Sequence, residues 1–220
     1  MLGRIKRLRG KTKNGVAMGT VSSEMQAYLV SLARSAVEGY LSTGKRITPA
    51  KSGGELSEKR GVFVTLETYP AKELRGCIGY PMPIKALAPS VVDCALSAAF
   101  DDPRFPQLEP RELAGVVFEL SVLSVPEVIR VGSPEEYLKR IKVGRDGLII
   151  NYGYSSGLLL PQVPIEWNWN EKEFLCQVCE KAGLPREMWK SPSARISSFQ
   201  AQVFCEEKPN GRVVEKRLIR

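Results

Sequence analysis

The chain contains no histidine among its 220 residues. That absence removes His-ligated zinc, Ser-His and Cys-His dyads, and the side chain that most often titrates near neutrality. No apolar run approaches the roughly 18 residues of a membrane helix. The basic N-terminus lacks the continuous apolar segment of a secretory signal. These two absences predict a cytoplasmic protein with no membrane partner. No G-x-G-x-x-G, P-loop, G-x-S-x-G or acidic calcium-loop pattern is present, and neither is an internal repeat or a low-complexity tract.

What the sequence does contain is ordinary for a globular protein: 43% hydrophobic and 25% charged residues. A chain of this length can bury a substantial core as one domain or as two intimate lobes. The net charge of +8 suggests nucleic acid until it is located. Residues 1–20 hold six basic residues and no acid, and residues 206–220 hold five basic and three acidic, whereas residues 21–205 hold 21 of each. The expected organisation is a basic tail at 1–20, a neutral domain at 21–206 and a basic tail at 207–220. Nucleic-acid binding is therefore expected to be weak at most and confined to the tails. Five cysteines, an odd number with no partner histidines, predict neither a disulfide framework nor a metal site, and no cofactor is expected.

Apolar residues at three- and four-residue spacings predict a helix from about Ser23 to Ser42, with Ser23 and Gln26 at capping-box spacing and Gly44 beyond its end. Residues 61–67 and 73–80 read as a β-hairpin. Residues 84–100 read as helical, with Pro89 opening the main segment. Residues 101–106 must be irregular, and 116–125 reads as a strand. Residues 147–152 and 158–163 read as a second hairpin across 153–157, followed by a helix at 171–182 and a last strand at 199–206. Helices and hairpins without βαβ alternation predict an α+β fold of mixed, largely antiparallel sheets flanked by helices.

The most informative segment is Leu-Arg-Gly-Cys-Ile-Gly at 74–79. Alternation places Arg75, Cys77 and Gly79 on one strand face. Glycines in a strand, here Gly76 and Gly79, mark close approach of a backbone or a ligand. Arg75 could lower the thiol pKa and hold an anionic group. From spacing alone, packing of Cys77 as a small apolar residue is the stronger reading. Asp102 and Arg104 lie in a proline-rich connection, where they either face a ligand or form a side-chain-supported turn with each other. Gln162, Glu166 and Trp169 follow an apolar strand and could line a cleft, with Glu166 a proton donor or acceptor in a chain without imidazole, or Trp169 could cap the core. Cys176 and Cys179 have redox spacing but fall within a helical apolar pattern, so core packing is expected.

These landmarks carry a resemblance. Leu-Val-x-Leu-Ala-Arg at 29–34, Gly-Val-Phe-Val-Thr-Leu at 61–66, the hexapeptide at 74–79, Asp-Pro-Arg-Phe at 102–105, Leu-Ser-Val-Leu at 120–123, Asp-Gly-Leu-Ile at 146–149, Gly-Leu-Leu-Leu-Pro-Gln-Val at 157–163 and Lys-Ala-Gly-Leu at 181–184 resemble the AMME-domain family. The resemblance implies two lobes with a cleft between them and the hexapeptide near it, and a biochemical role that is unsettled for the family. It adds weight to a site containing Arg75, Cys77, Asp102, Arg104, Gln162 and Glu166. Two functions follow as expectations. One is an enzyme acting on a small anionic or amide-bearing substrate, with Cys77 and Glu166 catalytic and Arg75, Gly76, Gly79, Asp102, Arg104, Gln162 and Trp169 binding. The other is a non-catalytic module for a protein or ribonucleoprotein partner.

Overall fold

The structure, a computed structural model, describes residues 20–216. The basic run expected as an N-terminal tail lies outside the described residues, Thr20 apart. Helix α1 (Ser23–Thr43) is capped one residue earlier than its spacing predicts: the Ser22 Oγ accepts from the Met25 N–H at 3.3 Å. Gln26 is drawn away from the cap because its buried side chain donates to the Val21 carbonyl and to Glu215. Gly44 ends the helix at φ 66°, a left-handed conformation that glycine adopts without a Cβ penalty.

Strand alternation then builds the first core. Val62, Val64 and Leu66 of β1 (Val62–Thr68) and Val116, Phe118, Leu120 and Val122 of β3 (Val116–Leu123) pack under α1 and α2 (Leu87–Phe100). Each such side chain contributes about 1.5–3 kcal/mol when fully buried. β2 (Leu74–Tyr80) pairs with β1 and forms the sheet edge. Arg34 of α1 is buried in a fork with Glu206, Nε to Oε1 at 2.7 Å and Nη2 to Oε2 at 2.5 Å, and also donates to the Val116 carbonyl. Glu206 accepts from the Phe118 N–H as well, so one ion pair ties α1 to two strands.

β7 (Arg195–Glu206) is the spine of an eight-stranded sheet. Its second half pairs with β3 on one edge and with β8 (Val213–Lys216) on the other. Its first half pairs with β4 (Glu127–Val128) and with β5 (Asp146–Tyr152), which continues to β6 (Ser155–Leu159). Leu148 and Ile150 of β5, Ile196 of β7, Tyr137 of α3 (Tyr137–Arg140), and Phe174, Leu175 and Val178 of α5 (Glu171–Lys181) form a second core. Cys176 and Cys179 are buried in it, as helical packing requires.

The parity of β7 fixes the architecture. Phe204 enters the first core and Ile196 the second, both even-numbered, so the helices over both cores cover the same face of the sheet. The odd-numbered residues face the other side. There Leu123, Ile149 and Phe199 form a smaller apolar cluster, against which Phe63, Leu158, Leu160 and Ala201 pack.

Three sequence expectations are corrected. The segment after residue 206 is not wholly a tail, because Val213–Lys216 closes the sheet as β8. The second hairpin turns at Gly153 and Tyr154, and Ser155, Ser156 and Gly157 are already paired with β5. Gly157 is required by packing: a Cβ there would lie 2.7 Å from the Val178 carbonyl and the Ala182 nitrogen of the α5 end. The strand stops at Leu159, and Val163 belongs to the short helix α4 (Val163–Glu166). β7 also begins four residues before its predicted start, since backbone pairing on both edges holds its serines in the sheet.

Candidate functional site

The face opposite the helices carries the most concentrated chemistry. Cys77 of β2 pairs across β1 with Thr65, which pairs with Glu119 of β3, which pairs with Cys205 of β7. Directly opposed residues point to the same side, so a thiol, a hydroxyl, a carboxylate and a second thiol form one row. The Thr65 hydroxyl donates to the Cys77 Sγ at 3.2 Å. Lys216 reaches Glu119 and, at 3.7 Å, Glu67. Burial pushes the Glu119 carboxyl up, against the pull of Lys216.

Loop 101–106 closes this row at the sheet edge. Among the described residues no strand lies beyond β2, so the outward N–H and C=O of Cys77 need partners. Asp102, 4% exposed, accepts the Cys77 N–H at 2.8 Å, and the Arg104 Nη2 donates to the Cys77 carbonyl at 3.2 Å. Asp102 also accepts from the Arg104 N–H at 3.1 Å, from its Nε at 2.9 Å and from its Nη2 at 2.7 Å. These bonds, chiefly those from the Arg104 side chain, hold the Asp102 carboxyl well below the usual carboxylate range. The Arg104 side chain is nonetheless 54% exposed, and its Nη1 has no protein hydrogen bond among the described residues. A guanidinium is thus presented to solvent in a fixed orientation. The side-chain-supported turn predicted as the plain alternative is present, and it points an arginine outward.

All five cysteines are free, and Cys77 is the one that is not buried. Burial pushes its thiol above the ordinary range, while the Thr65 hydroxyl and Arg104 pull it down. Cys94 and Cys179 are pushed up to about 11 by burial.

The expected set does not converge as a whole. A register shift between Leu66 and Glu67 leaves Arg75 without a partner in β1, and its guanidinium forks onto Glu112 at 2.8 and 3.0 Å. The alternation that would align Arg75 with Cys77 is broken by that bulge, and the positive charge acting on the thiol is Arg104. Gly76 faces the helices, where a Cβ would lie 2.0 Å from the Ala98 carbonyl oxygen. Gly79 is covered by the ring of its cross-strand partner Phe63, 2.3 Å from a built Cβ. Both glycines therefore answer to packing. Glu166 is exposed at the end of α4 and shares no hydrogen bond or ion pair with Cys77, Asp102 or Arg104 among the described residues. Trp169 packs on the second core and stacks on Trp167 with centroids 6.2 Å apart. Gln162 follows Leu160, which packs on the Leu123–Ile149–Phe199 cluster, and its buried Oε1 has no hydrogen-bond partner among the described residues.

Thr65, Glu119, Glu67 and Lys216 are the residues that sequence reasoning passed over. Part of their signal was available: Thr65 and Glu119 interrupt apolar runs in β1 and β3. Only the pairing register shows that they share a row with Cys77.

Comparison with known proteins places this arrangement in context. The family model described as AMMECR1 matches residues 30–204. Protein MJ0810 of Methanocaldococcus jannaschii is 48% identical over 202 residues, covering 92% of this chain and 100% of the relative. Protein MK0488 of Methanopyrus kandleri is 52% identical over 192 residues, covering 87% and 93% respectively. The crystal structure of uncharacterized protein PH0010 from Pyrococcus horikoshii superposes with a TM-score of 0.79 at 50% identity, covering 90% of this chain and 98% of that one.

Proposed function

The chain belongs to the AMMECR1 family, and from that premise we propose that the β2 edge binds a small molecule through an anionic group, with Arg104 as the contact and Cys77 beside it. One observation carries this reading. A buried aspartate spends both oxygens on orienting an arginine that remains half in solvent. Surface arginines are normally mobile, and fixing one lowers the entropy lost when it binds. The unused Nη1 offers a charge-assisted hydrogen bond to a carboxylate or phosphate.

A second, catalytic reading is favoured by the row itself. Thr65 donates to the Cys77 sulfur, and Glu119, two strands away, is held above its usual range. The resting thiol is mostly protonated near neutrality, since burial opposes the thiolate. Catalysis by Cys77 would therefore need the bound ligand to take the thiol proton, because Glu119 lies two strands away and is paired with Lys216. Glu166, expected as the proton carrier, has no part in this reading.

The test compares alkylation of Cys77 by iodoacetate and by iodoacetamide. The two reagents form the same thioether linkage and release iodide, and they differ in charge. At low salt the native protein should prefer iodoacetate several-fold over the ratio seen in the unfolded chain, and Arg104→Gln should erase that preference. A native ratio equal to the unfolded one would overturn the anion site.

A further inference from the structure

A cavity of about 560 Å³, lined mostly by polar residues, opens beside Arg60. Its walls come from the segment ahead of β1, the β3–β4 connection, the start of β5 and the middle of β7, and no residue of the 74–79 hexapeptide is among them. Arg60 lines it while being only 4% exposed. Its Nε donates to the Leu123 carbonyl at 3.1 Å, and among the described residues no hydrogen bond or ion pair occupies either terminal nitrogen. Neither terminal nitrogen is sealed from solvent, so both open onto the cavity, where an anionic group can replace the water on them. The other arginine in the wall, Arg145, makes two bonds to buried Asp146, which takes a third from the Lys142 N–H, so the pair adds no net charge to the wall. Arg145 nonetheless stays 47% exposed, and its Nη1 has no hydrogen bond among the described residues.

The remaining charges decide what can complete Arg60. Glu58 and Glu127 also line the cavity, both exposed and neither in an ion pair among the described residues. Glu58 and the nearby Glu55 act on Arg60 through space without contact. A simple anion entering toward Arg60 would meet this acidic rim, and a simple cation would meet Arg60. A molecule carrying both charges satisfies both walls. The volume lies within the range of small-ligand sites, roughly 300–1,000 Å³.

We propose that the cavity beside Arg60 binds a small zwitterion of the amino-acid class, its carboxylate on Arg60 and its ammonium group toward Glu58 and Glu127. This site is independent of the one at Cys77.

The experiment is saturation-transfer NMR on the full-length chain with the twenty amino acids as probes. Acetate, inorganic phosphate and methylamine serve as single-charge controls, with titration calorimetry on the best binder. At least one amino acid should bind about tenfold more tightly than every control, and Arg60→Lys, which keeps the charge but loses the fork, should weaken it by a similar factor. Because Arg60 is buried, the surface variant E58Q/E127Q gives the decisive comparison. It should weaken the amino acid several-fold and leave acetate unchanged or tighter. The bound amino acid should not alter the iodoacetate preference of Cys77. The proposal falls if no amino acid binds at about 10 mM, if acetate or phosphate binds as well as the best amino acid, if E58Q/E127Q has no effect, or if the ligand protects Cys77 instead.

Discussion

Replacing Gly76 with alanine should be among the most damaging single-methyl changes in this protein. The added Cβ would lie 2.0 Å from the Ala98 carbonyl oxygen and 3.0 Å from its carbonyl carbon. A relaxed C···O contact is about 3.3 Å, so α2 and β2 would have to part by about 1.3 Å. Both partners are backbone, one in a helix and one in a paired strand, so no rotamer can absorb the strain. Overpacking usually costs about 1–3 kcal/mol, and a clash between two backbones belongs at the upper end, about 3 kcal/mol. For a chain of this size that is a loss of about 6–12 °C in Tm. Gly115→Ala, where nothing lies within 4 Å of the built Cβ, is the matched control and should shift stability by less than about 0.5 kcal/mol. Adding Ala98→Gly should not rescue Gly76→Ala, because the obstruction is a carbonyl and not a methyl. Loop 101–106 follows α2 directly, so the same variant should also blunt the iodoacetate preference of Cys77. Urea and thermal unfolding measure the first effect. A Gly76→Ala protein within about 1 kcal/mol of native, or one rescued by Ala98→Gly, would refute the reasoning.

Arg34→Met should cost about 3–5 kcal/mol in denaturant unfolding, because it strands Glu206 in the interior, and Arg34→Met with Glu206→Gln should recover part of that loss. Asp102 has a depressed pKa in the fold, so its contribution is present above the ordinary aspartate value near 3.9 and is lost as pH falls through the lower folded value. The urea midpoint of the native chain should therefore drop more steeply below about pH 4 than that of Asp102→Asn; parallel profiles would contradict this. Native-state labelling with a disulfide reagent should modify one thiol, Cys77, at a rate still rising above the ordinary thiol pKa of about 8.5, and peptide mapping should find Cys94 and Cys179 protected until unfolding. Deleting residues 1–20 should remove most of any RNA affinity, and that affinity should fall steeply with salt in filter binding, since residues 21–205 carry no net charge.

The sequence by itself determined the local elements and the class. Three- and four-residue apolar spacing gave α1 and α5, and alternation gave the β1–β2 hairpin and β3, because these depend on neighbours a few residues apart. The buried character of Cys176 and Cys179 followed from the same spacing. Tertiary structure decided everything that rests on pairing and on contacts distant in sequence. One bulge at Leu66 turned Arg75 away from Cys77 and toward Glu112, and no propensity encodes where a bulge falls. Gly157 reads as a loop glycine until the end of α5 is seen to press against it. Glu119 and Lys216 are 97 residues apart and meet only because β8 docks on β7. Arg60 reads as one more surface charge ahead of a strand, and only the tertiary structure buries it, with its Nε on the Leu123 carbonyl at the end of β3. Periodicity is a property of a segment, and a site is a property of the register between segments.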